Sequence, residues 1–354
     1  MNTLLISLSI ALFTTLFVIF LLRPFAISIG LVDRPNHRKT HKGSVPLIGG
    51  LAMYAGVVIS ILLSSYDLNQ YNYYLMASLI VVMTGVLDDH QNISVGLRFI
   101  LQGLVALIIV SAGGVVIESL GNYLGIGEIT LNEWSYFITV IAIVAAMNAV
   151  NMADGIHGLA GGNSLITFLA IIYLSIRYKY NLDVISYEDI FIALLFCAVL
   201  PIFLMHNLCL GLSESRRIFM GDSGSMLIGL TIVWLLIDQS QGEGRAFAPV
   251  TALWLFAVPL IEMSTAILRR IVSGKSPFKP DTLHTHHLLL RFGIRENNTL
   301  LLMLIISLST AVIGILGEIY DVAEWVMFVG FMLVFLIYIF VYGIALKRIQ
   351  ENGK

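Results

Sequence analysis

Long apolar runs, each about the length of a membrane-spanning helix, are the feature that most limits how this chain can fold. A helix that crosses a bilayer needs about 20 mostly apolar residues, with a range of roughly 17–25. Charged residues make up 12% of the chain, about half the density of a soluble domain. Runs of this kind cover residues 3–22, 46–64, 71–87, 97–113, 134–151, 158–176, 188–206, 219–237, 247–268, 299–317 and 323–346. We therefore predict an all-α, polytopic membrane protein, one integral-membrane domain over 1–354 with about eleven transmembrane helices.

The placement of Lys and Arg predicts how these spans are oriented. Of the 20 Lys and Arg residues, 17 fall in one set of connections, and Arg177, Lys179 and Arg245 fall in the other. Cytoplasmic loops of membrane proteins carry the excess of basic residues. The basic set is therefore predicted to face the cytoplasm of a bacterial inner membrane. With an odd number of spans, the N-terminus is then periplasmic and the C-terminus cytoplasmic.

Five predicted cytoplasmic loops hold the acids, amides and histidines that would form a site. These loops are residues 23–45, 88–97, 148–162, 207–225 and 269–298. Acids also occur in the outer connections, but they are scattered and have no paired spacing. Because the five loops share one face of the membrane, we expect an active site on the cytoplasmic side.

Two of these loops offer oxygen ligands for a divalent cation. Asp88 and Asp89 directly follow the span 71–87, and neighbouring residues on a helix point about 100° apart, so they suit a cation, a general base or one of each. Asp222 lies between glycines at the mouth of another span. Mg²⁺ prefers one or two carboxylates together with substrate phosphates. The alternatives are a solvated acid pair at a helix end and a plain capped helix start. A serine nucleophile is disfavoured, because no strand–turn–helix elbow is predicted.

A third loop combines amides, an acid and glycines. Asn148, Asn151 and Asp154 recur at every third position, which keeps them on one face of a helix end. The glycines that follow, Gly155 and Gly158 among them, allow the backbone to approach a ligand closely. The alternative is that the asparagines are hydrogen-bonded between helices, as is common in membrane bundles.

The last two loops are rich in histidines and cations. His284, His286 and His287 follow Arg269 in the long loop 269–298, and the candidates are a transition-metal site, an anion clamp or a solvated loop. His-x-His is not the usual spacing of structural zinc, and no thiolate is nearby, so phosphate contact is the favoured function. The basic run 34–42 is typical of an orientation signal that also contacts lipid headgroups.

Together the five loops describe a phosphoryl-transfer site, with carboxylates holding Mg²⁺ against a diphosphate and cations on the outer oxygens. A transporter is the non-enzyme alternative, but it would place ionisable residues near the middle of the membrane. Here they lie at one rim. Glu262 is the clearest acid within a span, and we expect it to line an inner cavity.

Five ordered motifs resemble those of a known enzyme family. They are D-R-P-N-x-R-K-x-H at 33–41, L-D-D at 87–89, N-A-x-N-x-x-D-G-I at 148–156, F-M-G-D-x-G-S at 219–225 and H-x-H-H at 284–287. The set resembles the polyprenyl-phosphate N-acetylhexosamine-1-phosphate transferases, most closely the undecaprenyl-phosphate N-acetylglucosaminyl 1-phosphate transferases of the WecA type. The likeness runs in order from about residue 30 to 345.

The resemblance implies a reaction and its partners. UDP-GlcNAc and undecaprenyl phosphate would give undecaprenyl-diphosphate-GlcNAc and UMP, with Mg²⁺ or Mn²⁺ as cofactor. This would be the first membrane step of a surface polysaccharide of the O-antigen or enterobacterial common antigen type. Besides these substrates and the lipid bilayer we expect no nucleic-acid partner, and the sequence leaves the oligomeric state open, a homodimer included. A muramoyl-pentapeptide phosphate transferase, whose histidines are adjacent, and another UDP-N-acetylhexosamine donor are the alternatives.

The resemblance also implies roles for individual residues. Asp222 and Asn151 correspond to metal ligands, while Asp88 and Asp89 correspond to a pair that activates the lipid phosphate or positions the metal. The implied substrate contacts are Lys42, Asn148, Asp154, His157, His284, His286, His287 and Arg269.

Two positions depart from the family pattern, which has acids where this chain has Asn92 and His157. The asparagine removes one negative charge beside the acid pair. For His157 we expect a hydrogen bond donated to a pyrimidine carbonyl. The residues leave open whether the lipid phosphate attacks directly or through an aspartyl-phosphate on Asp88 or Asp89.

Overall fold

The computed structural model describes residues 2–33, 43–66, 71–181, 187–277, 281 and 283–352. The α-helices of these residues are α1 Asn2–Ile29, α2 Gly49–Leu62, α3 Asn72–Gln91, α4 Val95–Leu107, α5 Ser135–Ala153, α6 Leu159–Asn181, α7 Phe191–Asn207, α8 Gly221–Ser240, α9 Pro249–Leu255, α10 Ala257–Val272, α11 Thr285–Arg291, α12 Glu296–Ile319 and α13 Glu324–Asn352. A π-helical turn, Ile108–Ala112, extends α4, and two 3₁₀ turns lie at Asn132–Trp134 and Glu214–Arg216. The strands β1 Val32–Asp33 and β2 Val45–Pro46 form a short antiparallel ribbon.

The helices confirm the prediction of an all-α, polytopic membrane protein. Within the described residues, seven helices are long and apolar enough to cross a bilayer, or eight if α9 and α10 form one bent span. The apolar helices α2 and α7 are shorter. Each predicted span overlaps a helix or the α9–α10 pair, and the count of eleven stays a prediction.

The predicted span 247–268 is not one continuous helix. The axes of α9 and α10 differ by 82°, with Phe256 between them. Pro259 explains the break, because proline has no N–H to donate to the carbonyl of Leu255, four residues earlier, and its ring would clash there. The Leu255 carbonyl instead accepts a buried hydrogen bond from Thr167 Oγ1 of α6, at 2.9 Å.

Helix α8 is buried along most of its length, and small residues hold its N-terminal end against two other helices. A Cβ placed on Gly50 of α2 would lie 2.2 Å from the backbone nitrogen of Gly224, and one on Gly85 of α3 would lie 2.2 Å from Cα of Ser223. Such close backbone approach is how membrane helices pack without a hydrophobic driving force. The start of α8 is thereby fixed beside the C-terminal end of α3.

The peripheral helices expose their apolar side chains. In α13, 11% of the most apolar stretch is buried inside the protein, and in α1 the buried share of that stretch is 22%. Large side chains such as Phe20 and Phe340 are 80% and 70% exposed. Exposed apolar surfaces of this kind suit a lipid environment.

Backbone hydrogen bonds join the ribbon to the segment before α8. Phe219 N donates to Pro46 O at 2.9 Å, and Gly49 N donates to Phe219 O at 2.9 Å. Because β2 pairs with β1, these bonds bring Asp33 to the same end of the bundle as the start of α8.

Candidate active site

A cavity of about 920 Å³ opens at the ends of α3, α5 and α8. Its wall includes residues from all five of the predicted cytoplasmic loops. Of the residues predicted to act, those that line it are Asp88, Asp89, Asn151, Asp154, His157, Asp222 and His287. Lys42 lies outside the described residues.

Asp88 and Asp222 share one arginine at the floor of the cavity. Arg98 Nη1 lies 2.8 Å from Asp88 Oδ2 and 3.2 Å from Asp222 Oδ2. The first of these contacts lacks hydrogen-bond geometry, so Asp88 Oδ2 is buried without a hydrogen-bond partner among the described residues. Asp88 is therefore held beside Asp222 by the charge of Arg98, with no hydrogen bond to Oδ2.

Asp89 has a different role from its neighbour, since it receives the start of α8. Its Oδ1 accepts the Asp222 N–H at 2.9 Å and its Oδ2 the Ser223 N–H at 3.4 Å. A carboxylate is stabilised at a helix N-terminus by the unpaired N–H groups and the helix dipole. Gly221 has a φ of 70°, and a Cβ there would lie 2.4 Å from Asp89 Oδ2. Glycine is thus required where α8 meets this acid.

Burial, together with the neighbouring carboxylates, raises the pKa of both Asp88 and Asp89, which follow the predicted span 71–87. Burial, followed by the charge of Asp222, raises the pKa of Asp89 to about 8. Burial and the contact with Asp222 raise the pKa of Asp88 to about 6, although Arg98 acts in the opposite direction. Two of these three acids share one guanidinium, so negative charge is in excess when all three are ionised, and a divalent cation would neutralise it.

The donor atoms at the floor fit Mg²⁺. Asn151 Nδ2 donates to Asp222 Oδ1 at 2.7 Å and to Ser225 Oγ at 3.0 Å, which holds the Asn151 side chain beside the acid. Carboxylate and amide oxygens are hard ligands of the kind Mg²⁺ prefers, and the ion usually completes its shell with water and substrate phosphates. Among the described residues, no group of three Asp, Glu, His or Cys side chains is arranged to hold a metal ion by itself.

Asn148 lies one turn before Asn151 on α5 and pairs with another helix. Its Nδ2 donates to Gln102 Oε1 of α4 and to the Val144 carbonyl, both at 2.8 Å. Gln102 is itself buried and donates to Met226 Sδ of α8 at 3.1 Å. The structure thus places Asn148 in an interhelical contact beneath the site, the alternative that the sequence left open.

His157 stands in the cavity wall between an arginine and an acid. Its Nε2 lies 2.9 Å from Arg217 Nη1, and because arginine can only donate, Nε2 accepts. Its backbone N–H donates to Glu296 Oε1 of α12 at 3.3 Å. The imidazole also packs on Phe219, with ring centroids 5.1 Å apart.

The three histidines of the long loop do not share one environment. His287 lines the cavity, whereas His284 and His286 are buried. A Cβ on Gly155 would lie 2.0 Å from His286 Nε2, so this imidazole packs directly on the loop after α5. Burial lowers the pKa of all three, that of His284 to about 4. At neutral pH they are therefore uncharged, and His287, which lines the cavity, would meet a phosphate as a hydrogen-bond donor.

Arg269 binds a carboxylate of its own loop. Its Nη2 donates to both oxygens of Asp281, at 3.0 and 2.9 Å, and Arg270 Nε donates to Oδ2 at 2.8 Å. Burial alone would raise the pKa of Asp281, but the hydrogen bonds from Arg270, from Leu283 N–H and from Arg269 hold it at about 2. This ion-pair clamp closes the loop before the histidines.

Four residues near the site have functions that sequence reasoning missed or placed differently. Arg98 and Arg217 were counted for orientation alone, although Arg98 directly follows the predicted loop 88–97 and Arg217 precedes the F-M-G-D motif. Nothing in the sequence marks Glu296 as a partner of the loop after α5. Glu262 does not line this cavity; it is buried and binds the histidine segment.

Comparison with known proteins places these residues in a wider group. The sequence model of the glycosyl transferase family 4 matches residues 71–240, which carry both the acid pair and Asp222. Undecaprenyl-phosphate alpha-N-acetylglucosaminyl 1-phosphate transferase of Escherichia coli (strain K12) is 40% identical over 353 residues, 98% of this chain and 93% of that protein. Proteins of the same name from Yersinia pestis and Haemophilus influenzae are 39% and 41% identical, over 93% of this chain and 88% and 90% of theirs.

Proposed function

The chain belongs to the family of undecaprenyl-phosphate N-acetylglucosaminyl 1-phosphate transferases, and on that premise we propose that it transfers GlcNAc 1-phosphate from UDP-GlcNAc to undecaprenyl phosphate. The observation that carries the proposal is the meeting of Asp88, Asn151 and Asp222 at the floor of one cavity. The products are undecaprenyl-diphosphate-GlcNAc and UMP, and the reaction is the first membrane step of a surface polysaccharide.

The reaction requires alignment more than a strong base. The nucleophile is an oxygen of the lipid phosphate, which is already ionised near neutral pH. It forms a bond to the sugar-linked phosphorus while the bond from that phosphorus to the bridging oxygen breaks, and the electron pair leaves with UMP. Two anions must be brought together, so charge neutralisation and fixed geometry supply most of the catalysis.

Mg²⁺ is the cofactor that these residues suit, and it would neutralise the diphosphate oxygens. Asp222 and Asn151 are the proposed ligands, with the Asp88 carboxylate beside them. Arg98 holds the two acids in place from the opposite side. Asp89 acts through the backbone of α8, whose first turn it fixes.

The wall around His157 is the proposed nucleotide end of the cavity. Because its Nε2 accepts from Arg217, a hydrogen bond from His157 to a pyrimidine carbonyl would come from Nδ1. Asp154 lines the same wall, as does His287, an uncharged donor for phosphate oxygens. A His157→Ala variant that binds UDP-GlcNAc as tightly as the wild type would rule out the nucleotide contact.

The proposal includes a topology of eleven spans, with the N-terminus periplasmic and the active site facing the cytoplasm. The two arginines at the cavity, Arg98 and Arg217, both belong to the basic set of connections, which the positive-inside rule assigns to the cytoplasm. A UDP-sugar made in the cytoplasm would reach the site from that side, and the lipid phosphate would reach it from the bilayer surface.

A radiolabel transfer assay tests the proposal. Purified full-length chain is incubated with undecaprenyl phosphate and a panel of labelled UDP-N-acetylhexosamines, with EDTA or with added Mg²⁺. We expect chloroform-soluble label from UDP-GlcNAc, its loss in EDTA and its recovery with Mg²⁺. Asp222→Asn should lower transfer by at least about a hundredfold, while the exposed outer-loop control Glu128→Gln should not. No lipid-soluble label from any of the donors would refute the proposal.

Double displacement through an aspartyl-phosphate is the alternative mechanism, and the geometry limits where it could occur. Both oxygens of Asp89 accept N–H groups of α8, so Asp88 would be the nucleophile. Trapping a phospho-enzyme with donor labelled in the sugar-linked phosphate would refute direct attack. Transfer that survives in both Asp88→Asn and Asp89→Asn would refute the alternative.

A further inference from the structure

Helix α13 is the most lipid-exposed of the long apolar helices, yet two of its tyrosines turn inward at one end. The hydroxyl of Tyr338 donates to Glu262 Oε1 of α10 at 2.9 Å and also contacts Thr285 Oγ1. The hydroxyl of Tyr342, one turn later, donates to the carbonyl of Leu283. Both partners in the long loop flank His284, so a peripheral helix holds the histidine segment.

The direction of these hydrogen bonds can be assigned. A tyrosine hydroxyl has one hydrogen, and Tyr338 gives it to the carboxylate of Glu262, so the hydroxyl of Thr285 donates to the Tyr338 oxygen. The backbone N–H of Thr285 also donates to Glu262 Oε1, at 3.3 Å. Thr285 is thus held at both its backbone and its side chain.

Glu262 presents its second oxygen to the histidines. Oε2 lies 3.8 Å from His284 Nδ1 and 3.9 Å from His286 Nδ1. Glu262 is 5% exposed. A carboxylate buried to this extent is stable only where its hydrogen bonds are made. Loss of the Tyr338 hydroxyl would leave the carboxylate with one fewer donor and would remove the contact of Thr285 with α13, which leaves Thr285 less firmly held.

A displacement of Thr285 would reach the cavity directly. The next residue, His286, has no exposed surface and packs on Gly155, so it has no room to absorb a shift. His287 follows and lines the cavity. The connection from Tyr338 to His287 therefore consists of one hydrogen-bonded contact and the first three residues of α11.

We infer that Tyr338 is a positioning residue for His287, and that the lipid-exposed helix α13 thereby belongs to the framework of the active site. The inference rests on the proposed function for its catalytic consequence. It assigns Tyr338 no contact with the substrate. It predicts that removing one hydroxyl at the periphery of the protein lowers transfer without unfolding the chain.

The test compares Tyr338→Phe with Tyr320→Phe in the full-length chain. Tyr320 is 74% exposed and provides a matched loss of one hydroxyl outside the network. Hydrogen–deuterium exchange is followed in peptides covering residues 283–291, and transfer is measured in parallel. We expect Tyr338→Phe to speed exchange in this segment by about 2- to 10-fold, as loss of one hydrogen bond allows, and to lower kcat by about 10- to 100-fold. Tyr320→Phe should change neither.

Coupling to His287 separates positioning from a general loss of stability. If Tyr338 acts through His287, the Tyr338→Phe effect on transfer should shrink in a His287→Ala background, because coupled residues are not additive. Equal effects in the two backgrounds would overturn the inference. The exchange measurement decides by itself as well, since unchanged exchange in 283–291 overturns it even where transfer has fallen. A wild-type chain that transfers no sugar phosphate would instead refute the proposed function and leave the exchange comparison valid.

Discussion

Asp88 and Asp89 are neighbours in sequence, but alanine at each position should change the stability of the metal-free protein by different amounts. Asp89→Ala removes the acceptor of two N–H groups, those of Asp222 and Ser223, at 2.9 and 3.4 Å. A buried donor left without a partner costs about 1–3 kcal/mol. The second bond is long and contributes the smaller share, so we expect a loss of about 3 kcal/mol in the free energy of unfolding at about pH 4. At that pH the raised pKa of Asp89 costs little, because the group is protonated in the folded state and partly protonated in the unfolded chain.

The corresponding change at Asp88 should be nearly neutral. Asp88→Ala gives up the contact with Arg98, but Arg98 keeps Asp222 at 3.2 Å. Relief of repulsion between the two carboxylates acts in the opposite direction, and because Arg98 keeps a carboxylate partner, the substitution leaves no buried charge uncompensated. The net change should therefore stay within about 1 kcal/mol.

Thermal unfolding of the purified protein at the same acidic pH, in detergent and EDTA, measures the difference. At about 2 °C per kcal/mol, Asp89→Ala should lower Tm by about 6 °C and Asp88→Ala by less than about 2 °C. Glu128→Ala, an exposed outer-loop acid, serves as the control for loss of a carboxylate. An equal fall in the two variants, or a larger fall for Asp88→Ala, would show that Asp89 does not hold the start of α8.

Three further predictions concern the same end of the bundle. Because the folded state raises the pKa of Asp88 and Asp89 to about 6 and about 8, it binds protons more tightly than the unfolded chain. The three histidines with lowered pKa act in the opposite direction below about pH 6.5. Stability in EDTA should therefore fall as pH rises from about 7 to about 9, where Asp89 loses its proton, and a flat Tm across this range would contradict this. Arg98→Gln should lower Tm in EDTA. It should also enlarge the rise in Tm on adding Mg²⁺, because the ion then replaces the missing positive charge. A rise equal to that of the wild type would contradict this role of Arg98. Gly85→Ala should destabilise the protein by more than about 3 kcal/mol, since its Cβ would lie 2.2 Å from the backbone of α8. The control Gly96→Ala should not, because no atom lies within 4 Å of the added Cβ. Equal Tm values for the two variants would refute the close packing.

The helices could be predicted from the sequence because lipid imposes a length and a composition on every span. The break within 247–268 could not be predicted. Proline is common in the first turn of an ordinary helix, so Pro259 alone does not indicate a break. A break is stable where another group donates a hydrogen bond to the carbonyl that the proline leaves without a donor. Here Thr167 of α6 takes that role, and its proximity to Leu255 exists only in three dimensions.

The predicted site residues fall into two groups, which differ in where their side-chain partners lie. Asp88, Asp89 and Asp222 stand out in sequence because acids at the rim of apolar spans are costly unless they have a function or a partner. Asn148 and Arg269 stand out for the same reason, but their partners, Gln102 and Asp281, satisfy them away from the cavity. Residue type and position identify candidates, whereas partner distances separate ligands from structural pairs.

The two sides of the cavity are held by different forces. The acid side rests on backbone contact, because Gly85 and Gly50 bring α3 and α2 against the start of α8, and packing of this kind allows little displacement. The histidine side rests on hydrogen bonds to Glu262 and on a tyrosine from a helix that faces lipid. A polar contact can lengthen at small cost where a packed backbone cannot. A substitution that removes one hydrogen bond is therefore expected to displace the side of His287 and to leave the acid side unchanged.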